Sequence, residues 1–171
     1  MTERLPLMTD DKYYNLTRSL NRRQQEVFQF VLDWCRSKRQ RDMTPPFYVY
    51  CMGGAGIGKS HLIHAIVQMV NRELRQPGDS PDDAIVILTA PSGTAAYAIR
   101  DQTLHSAFMI SAKGIATLSA QKLAMLRNKF PKLILIIIDE VSMVGANLLK
   151  LVHKRCAATR KLPFGIAVRR Y

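Results

Sequence analysis

At 171 residues, with 47% hydrophobic and 22% charged side chains, the chain is long enough for one globular domain with a real core. Its 25 Lys plus Arg against 13 Asp plus Glu give a formal net charge of +12. That excess favours a polyanionic partner over ordinary solubilising charge. The longest aliphatic run, Leu133 to Ile138, is far short of the ~20 residues that span a bilayer, which excludes a helical membrane protein. The start Met1-Thr2-Glu3-Arg4 has no charged-then-apolar signal pattern, so an intracellular protein of open oligomeric state is expected. Cys35, Cys51 and Cys156 are odd in number and form no Cys-x-x-Cys pair, which predicts reduced, buried thiols.

In chain order, residues 1–19 are polar and mixed, and a poorly ordered lead-in is expected before a domain over 20–171. From Leu20 the pattern turns helical. Asn21 is a plausible N-cap with Gln24 three residues on, and Val27, Phe28, Val31, Leu32, Trp34 and Cys35 form an apolar face that ends near Arg39. Thr44-Pro45-Pro46 breaks the helix and leads into Phe47 to Met52, an unbroken β-prone run of the kind a buried parallel strand requires.

Directly after that strand stand Gly53, Gly54, Ala55, Gly56, Ile57, Gly58, Lys59 and Ser60, which match G-x-x-x-x-G-K-[ST] at every fixed position. Glycines suit such a loop because its backbone must take positive φ and lie close enough to a triphosphate for its N–H groups to ring the oxygens. Lys59 then reaches the β and γ phosphates, Ser60 offers a hydroxyl to Mg²⁺, and the helix that starts there turns its positive end toward the anion. Leu62, Ile63, Ile66, Val67, Val70 and Leu74 continue that helix.

A surface loop over residues 76–83 precedes a second strand at Ala84 to Thr89, and the turn Ala90 to Ala96 opens a short helix to Ile99. Thr103 to Met109 fits no single pattern. Leu118 to Phe130 is helical in period, Pro131 stops it, and Leu133 to Ile138 reads as a fully buried strand. A helix from Gly145 to Ala158 completes an alternation of strands and helices that argues for βαβ units and a mainly parallel sheet with helices on both faces. Asp139 and Glu140 follow the last strong strand, at the end of a parallel strand where ligands sit. An acid there holds Mg²⁺, and a Glu beside it can polarise the water that attacks the γ phosphate.

Leu20 to Gln24, Gly53 to Ser60, Ala90 to Ala96, Thr103-Leu104-His105-Ser106 and Ile138 to Met143, taken together, resemble the ordered motifs of the Pif family of 5′-to-3′ DNA helicases in superfamily 1. The resemblance covers roughly residues 19 to 166. It implies an α/β P-loop NTPase of RecA-like fold with the C-terminal part of the domain missing, using ATP and Mg²⁺ and acting on single-stranded DNA in repair, recombination or telomere maintenance, in nucleus or mitochondrion. It also implies roles: Gln24 at the adenine edge, Lys59 and Ser60 on phosphate and Mg²⁺, Asp139 on the metal and Glu140 on the attacking water. Ser92, Gly93 and Thr94 would lie in the DNA channel, with Thr103, His105 and Ser106 near it. Ser92 stands where the family usually has Thr, and the hydroxyl is kept.

Several residues have a second reading. Gln24 fits the third position of a capping box as well as an adenine contact, and His105 fits a packed core position. His61 and His64 suit a helix surface better than a metal site. Arg22, Arg23, Arg36, Lys38, Arg39 and Arg41 suit a solvated face slightly better than a DNA-facing stripe. Pro163 to Ile166 resembles the approach to a further family motif, and Ala167 to Tyr171 departs from it, which suggests a fragment, an alternative ending or a frameshifted end. A gap in the sheet between the phosphate-loop strand and the Asp139 strand is then expected, with an inability to unwind DNA alone. The other classes compatible with these motifs are a non-catalytic ATP- and DNA-binding module, a helicase-like transposon protein, and a small-molecule kinase, for which no Arg-rich lid is evident.

Overall fold

The computed structural model describes residues 6–40, 44–54, 56–80, 83–99, 101–111 and 118–159, and the backbone of 164–168. The chain divides into two compact units. One contains Pro46–Gly54 and the chain from Ser80 onward, and the other contains Leu5–Pro45 and Ala55–Asp79.

The first unit is built on a sheet of β1 (Tyr48–Cys51), β2 (Val86–Ala90), β3 (Gln102–Thr103), β4 (Leu135–Ile138) and β5 (Phe164–Val168). Among the described residues their order is β1-β5-β4-β2-β3, and every pairing is parallel. The sequence dictates the centre: β4 is Leu-Ile-Ile-Ile with all four residues buried, as a strand covered on both faces must be. Helices α4 (Gly93–Ala98), α5 (Leu104–Ala107), α6 (Ala120–Lys129) and α7 (Ala146–Ala158) belong to this unit. Their core gathers Ile87, Leu104, Phe108, Leu126, Phe130, Ile136 and Val152.

The expected gap between β1 and β4 is absent. The backbone of β5 lies in that slot, with Tyr48 to Cys51 paired to Gly165 to Val168 on one side and Leu135 to Ile138 paired to Phe164 to Ala167 on the other. The reason is length: both neighbours are only four residues long, so a five-residue strand spans them, and parallel pairing asks only for backbone N–H and C=O groups.

The second unit packs α2 (Arg22–Gln40) on α3 (Lys59–Leu74). Phe28, Val31 and Cys35 are the buried stripe of α2, and α3 is buried through Leu62, Ile63 and the run Ala65 to Val70. Residues 10–18, expected to be a poorly ordered lead-in, form helix α1 (Asp10–Arg18), with Asp10 and Asp11 in the first turn and Arg18 in the last as the helix dipole favours. A polar sequence is held here by polar anchors. The buried amide of Gln68 donates to the Pro6 carbonyl at 2.9 Å and accepts from the Met8 N–H at 2.9 Å. Arg72 donates to Asp10 at 2.6 Å and to the Met8 carbonyl, and its guanidinium stacks 4.5 Å from the Tyr13 ring centroid.

The three cysteines are free thiols, and burial pushes those of Cys35 and Cys156 up to about 12, so they stay protonated at any physiological pH. Among the described residues no helix is long and apolar enough to cross a membrane.

Replacing Gln68 with Ala leaves the Met8 N–H and the Pro6 carbonyl without their partner. A loss of about 1 to 3 kcal/mol is expected in urea denaturation, with faster amide exchange in residues 10–18. Unchanged exchange in α1 would show that this anchor does not hold it.

Candidate active site

The sheet register decides what meets at its C-terminal edge. Tyr50, Ala167, Ile138, Thr89 and Gln102 lie in one row across the five strands. The next positions are therefore Cys51 on β1, Asp139 after β4, Ala90 on β2 and Thr103 on β3, all on the same edge. With strands about 4.8 Å apart, Cys51 and Thr103 each lie about 10 Å from Asp139. Gly53 and Gly54 follow two and three residues after Cys51, and a side chain at Gly54 would meet nothing within 4 Å.

Asp139 is 1% exposed, its N–H donates to the Thr89 carbonyl at 2.8 Å, and its Oδ1 accepts from the Glu140 N–H at 3.0 Å. Glu140 has φ 54° and ψ 38°, the left-handed region, and opens the 3₁₀ turn Val141–Met143. That conformation costs an L-residue about 1 to 2 kcal/mol. Backbone strain of this kind clusters at functional sites, which makes Glu140 a candidate.

Two short helices leave the same edge side by side. The Ser92 hydroxyl caps α4 by accepting from the Ala95 N–H at 3.2 Å, and the Thr103 hydroxyl caps α5 by accepting from the Ser106 N–H at 3.2 Å. A hydroxyl that accepts in this way keeps its own hydrogen to donate outward. Gly93, Thr94 and Ser106 are exposed, and His105 is partly exposed while Leu104 and Ala107 take the buried positions of α5. His105 is thus not a core histidine.

In the helical unit Gly56 and Gly58 have φ of 77° and 81°, and Lys59 and Ser60 open the 16-residue α3. Ala55 lies outside the described residues. Nothing lies within 4 Å of a side chain placed at Gly56, whereas one at Gly58 would sit 2.6 Å from the Gln24 amide nitrogen. Left-handed glycines, open space and a lysine and serine at a helix start are the features a polyphosphate with Mg²⁺ requires.

Gln24 has its second reading met in full. The Asn21 N–H donates to Gln24 Oε1 at 2.9 Å and the Gln24 N–H to Asn21 Oδ1 at 3.0 Å, a reciprocal capping box. Its Nε2 donates to the carbonyls of Ile57 at 3.2 Å and Gly58 at 3.0 Å, so the same amide braces the phosphate loop. Of the basic residues read on this helix, Arg22 pairs with Glu26 at 3.5 Å and Arg39 with Glu73 at 3.7 Å, and Arg41 lies outside the described residues. His61 is likewise occupied: the Ser19 hydroxyl donates to the Leu16 carbonyl at 2.7 Å, so its bond to His61 Nε2 at 2.7 Å takes its proton from the imidazole. The sequence reading missed Gln68, whose role shows only in the main chain it binds, and Tyr97, a tyrosine standing among alanines on α4.

The family model for PIF1-like helicases matches residues 19–167. The chain belongs to this family. It is 30% identical over 116 residues to an ATP-dependent DNA helicase Pif1 of Campylobacter jejuni, a match covering 63% of this chain and 24% of that protein. It is also 30% identical over 100 residues to the ATP-dependent DNA helicase PIF4 of Trypanosoma brucei brucei, covering 55% of this chain and 11% of that one. Among solved structures, Pif1 helicase from Candida albicans superposes with a TM-score of 0.61 at 23% identity. A Bacteroides Pif1 in complex with ADP-AlF4 gives 0.56 at 21%. Each structural match covers 88% of this chain and 32% of the other, and the shared fold is RecA-like. The chain spans about a quarter or less of the length of these two curated PIF1-like relatives.

The strain at Glu140 is open to test by comparing Glu140→Gly with Glu140→Ala, since both remove the same carboxylate. The glycine variant is expected to be the more stable by about 1 kcal/mol, the reverse of the order at a right-handed helical site. An alanine variant of equal or greater thermal stability would mean that the left-handed turn is not what the chain adopts.

Proposed function

We propose that this chain is the N-terminal RecA-like motor segment of an ATP-dependent 5′-to-3′ DNA helicase, in which ATP hydrolysis drives movement along single-stranded DNA. The observation that carries this reading is the phosphate loop with two left-handed glycines that opens a four-turn helix at Lys59 and Ser60, within a chain of the PIF1-like family. In this reading the loop N–H groups and Lys59 bind the β and γ phosphates. Ser60 and Asp139 hold Mg²⁺, which supplies charge neutralisation at the phosphates, and Glu140 orients the attacking water.

Ser92, Gly93, Thr94, Thr103, His105 and Ser106 face the strand's phosphates in this reading. Their supporting feature is the pair of capped turns that leave adjacent strands with hydroxyl hydrogens still available. DNA repair, recombination and telomere maintenance in nucleus or mitochondrion are the processes that fit such a motor. These 171 residues alone are expected to turn ATP over poorly and to separate no duplex, since they span a quarter or less of the two curated helicases they match.

Gln24 enters as the adenine partner, since a planar amide can donate to and accept from the N6 and N7 edge together. To do so it must exchange its bonds to Asn21, Ile57 and Gly58 for bonds to the base. One calorimetric series tests both assignments. Lys59→Ala is expected to remove tight binding of MgATP, and unchanged affinity would refute the phosphate-loop assignment. Gln24→Ala is expected to weaken ATP more than GTP or CTP, and equal losses would leave Gln24 only its cap and brace.

A further inference from the structure

The face of α4 that carries Gly93 and Thr94 continues into an aromatic side chain that neither the core nor the phosphate chemistry uses. Tyr97 is 86% exposed, the highest exposure of any large hydrophobic residue described. At three and four residues beyond Thr94 and Gly93, it shares their side of the helix. Ala96 and Ile99 take the buried side, and Ala98 beside Tyr97 is exposed and small. A tyrosine with this little packing contributes almost nothing to the fold, and its ring is open to a planar partner. The turn next to it is capped by Thr103, whose position is level with Ala90 at the start of the turn that leads into α4.

We propose that Tyr97 is a base-stacking platform for single-stranded nucleic acid, placed one helical turn from the hydroxyl of Thr94. The hydroxyls hold the backbone and the ring takes a base face, the combination by which single strands are bound without sequence preference. The net charge of +12 agrees with a polyanionic strand as occupant better than with an apolar peptide. This rests on the DNA-binding reading above and adds to it the residue that contacts the bases, with tolerance of any base as its consequence.

The test is fluorescence anisotropy of the 171-residue chain with a labelled oligothymidylate of about 16 nucleotides and with an abasic strand of the same length. Tyr97→Ala is expected to weaken oligothymidylate binding about tenfold, Tyr97→Phe to keep it within about twofold, and the abasic strand to bind the parent and Tyr97→Ala alike. Equal binding of oligothymidylate by the parent and Tyr97→Ala, or an equal loss on the abasic strand, would overturn stacking while leaving DNA binding intact. Binding of neither strand by the parent would overturn the DNA-binding reading and stacking with it. Because Tyr97 is exposed, its variants should melt at the parent temperature, which separates lost stacking from lost folding.

Discussion

Parallel pairing in a fixed register is the constraint on which the sheet unit depends. Strands that run the same way must all end on one edge, and whatever follows each strand is delivered there. The row Tyr50, Ala167, Ile138, Thr89 and Gln102 fixes which residues those are: the approach to the glycines after β1, the carboxylates after β4, and the two capped turns after β2 and β3. A slip of one residue at β4 would turn its apolar side chains to the opposite faces and move Asp139 along the edge. The ladder also holds Asp139 directly, through its N–H to Thr89, so a buried acid is oriented by the same bonds that build the sheet.

In the helical unit a single side chain does comparable work. Gln24 closes the first turn of α2 with Asn21 and reaches across to two carbonyls of the phosphate loop. Gly58 permits this twice over, by adopting φ 81° and by leaving the space that a Cβ would take from the amide. The shape of the loop is therefore coupled to the start of a helix more than thirty residues earlier in the chain. The first motif and the phosphate loop are one packed arrangement.

Much of this was legible in the sequence because it rests on local signals. The all-aliphatic run before Asp139 made β4 plain, the glycine spacing gave the phosphate loop, and Asn21 with Gln24 gave the start of α2. Three features were not legible, each for a physical reason. Helix α1 has no apolar stripe, because its anchor is an amide and a guanidinium on α3 that bind main chain and an aromatic face. Strand β5 carries a glycine and too few residues for periodicity, and only the empty slot between β1 and β4 selects it. Thr103 to Met109 fitted no period because it is the end of a two-residue strand, a single turn of helix, and a left-handed Met109 in succession. In the candidate site, the position after β4 suggested the carboxylates and the family resemblance suggested the hydroxyls, but the left-handed backbone of Glu140 and the exposure of Tyr97 are properties of packing.

The central proposal is that the motifs at Gly53 to Ser60 and at Asp139 to Met143 serve one nucleotide. Hydrogen exchange of the chain with and without MgATP, read segment by segment, addresses it without relying on turnover. Slower exchange in both segments with MgATP, and in neither with Mg²⁺ alone, is the expected result. Unchanged exchange in both, or protection confined to one of them, would contradict the account.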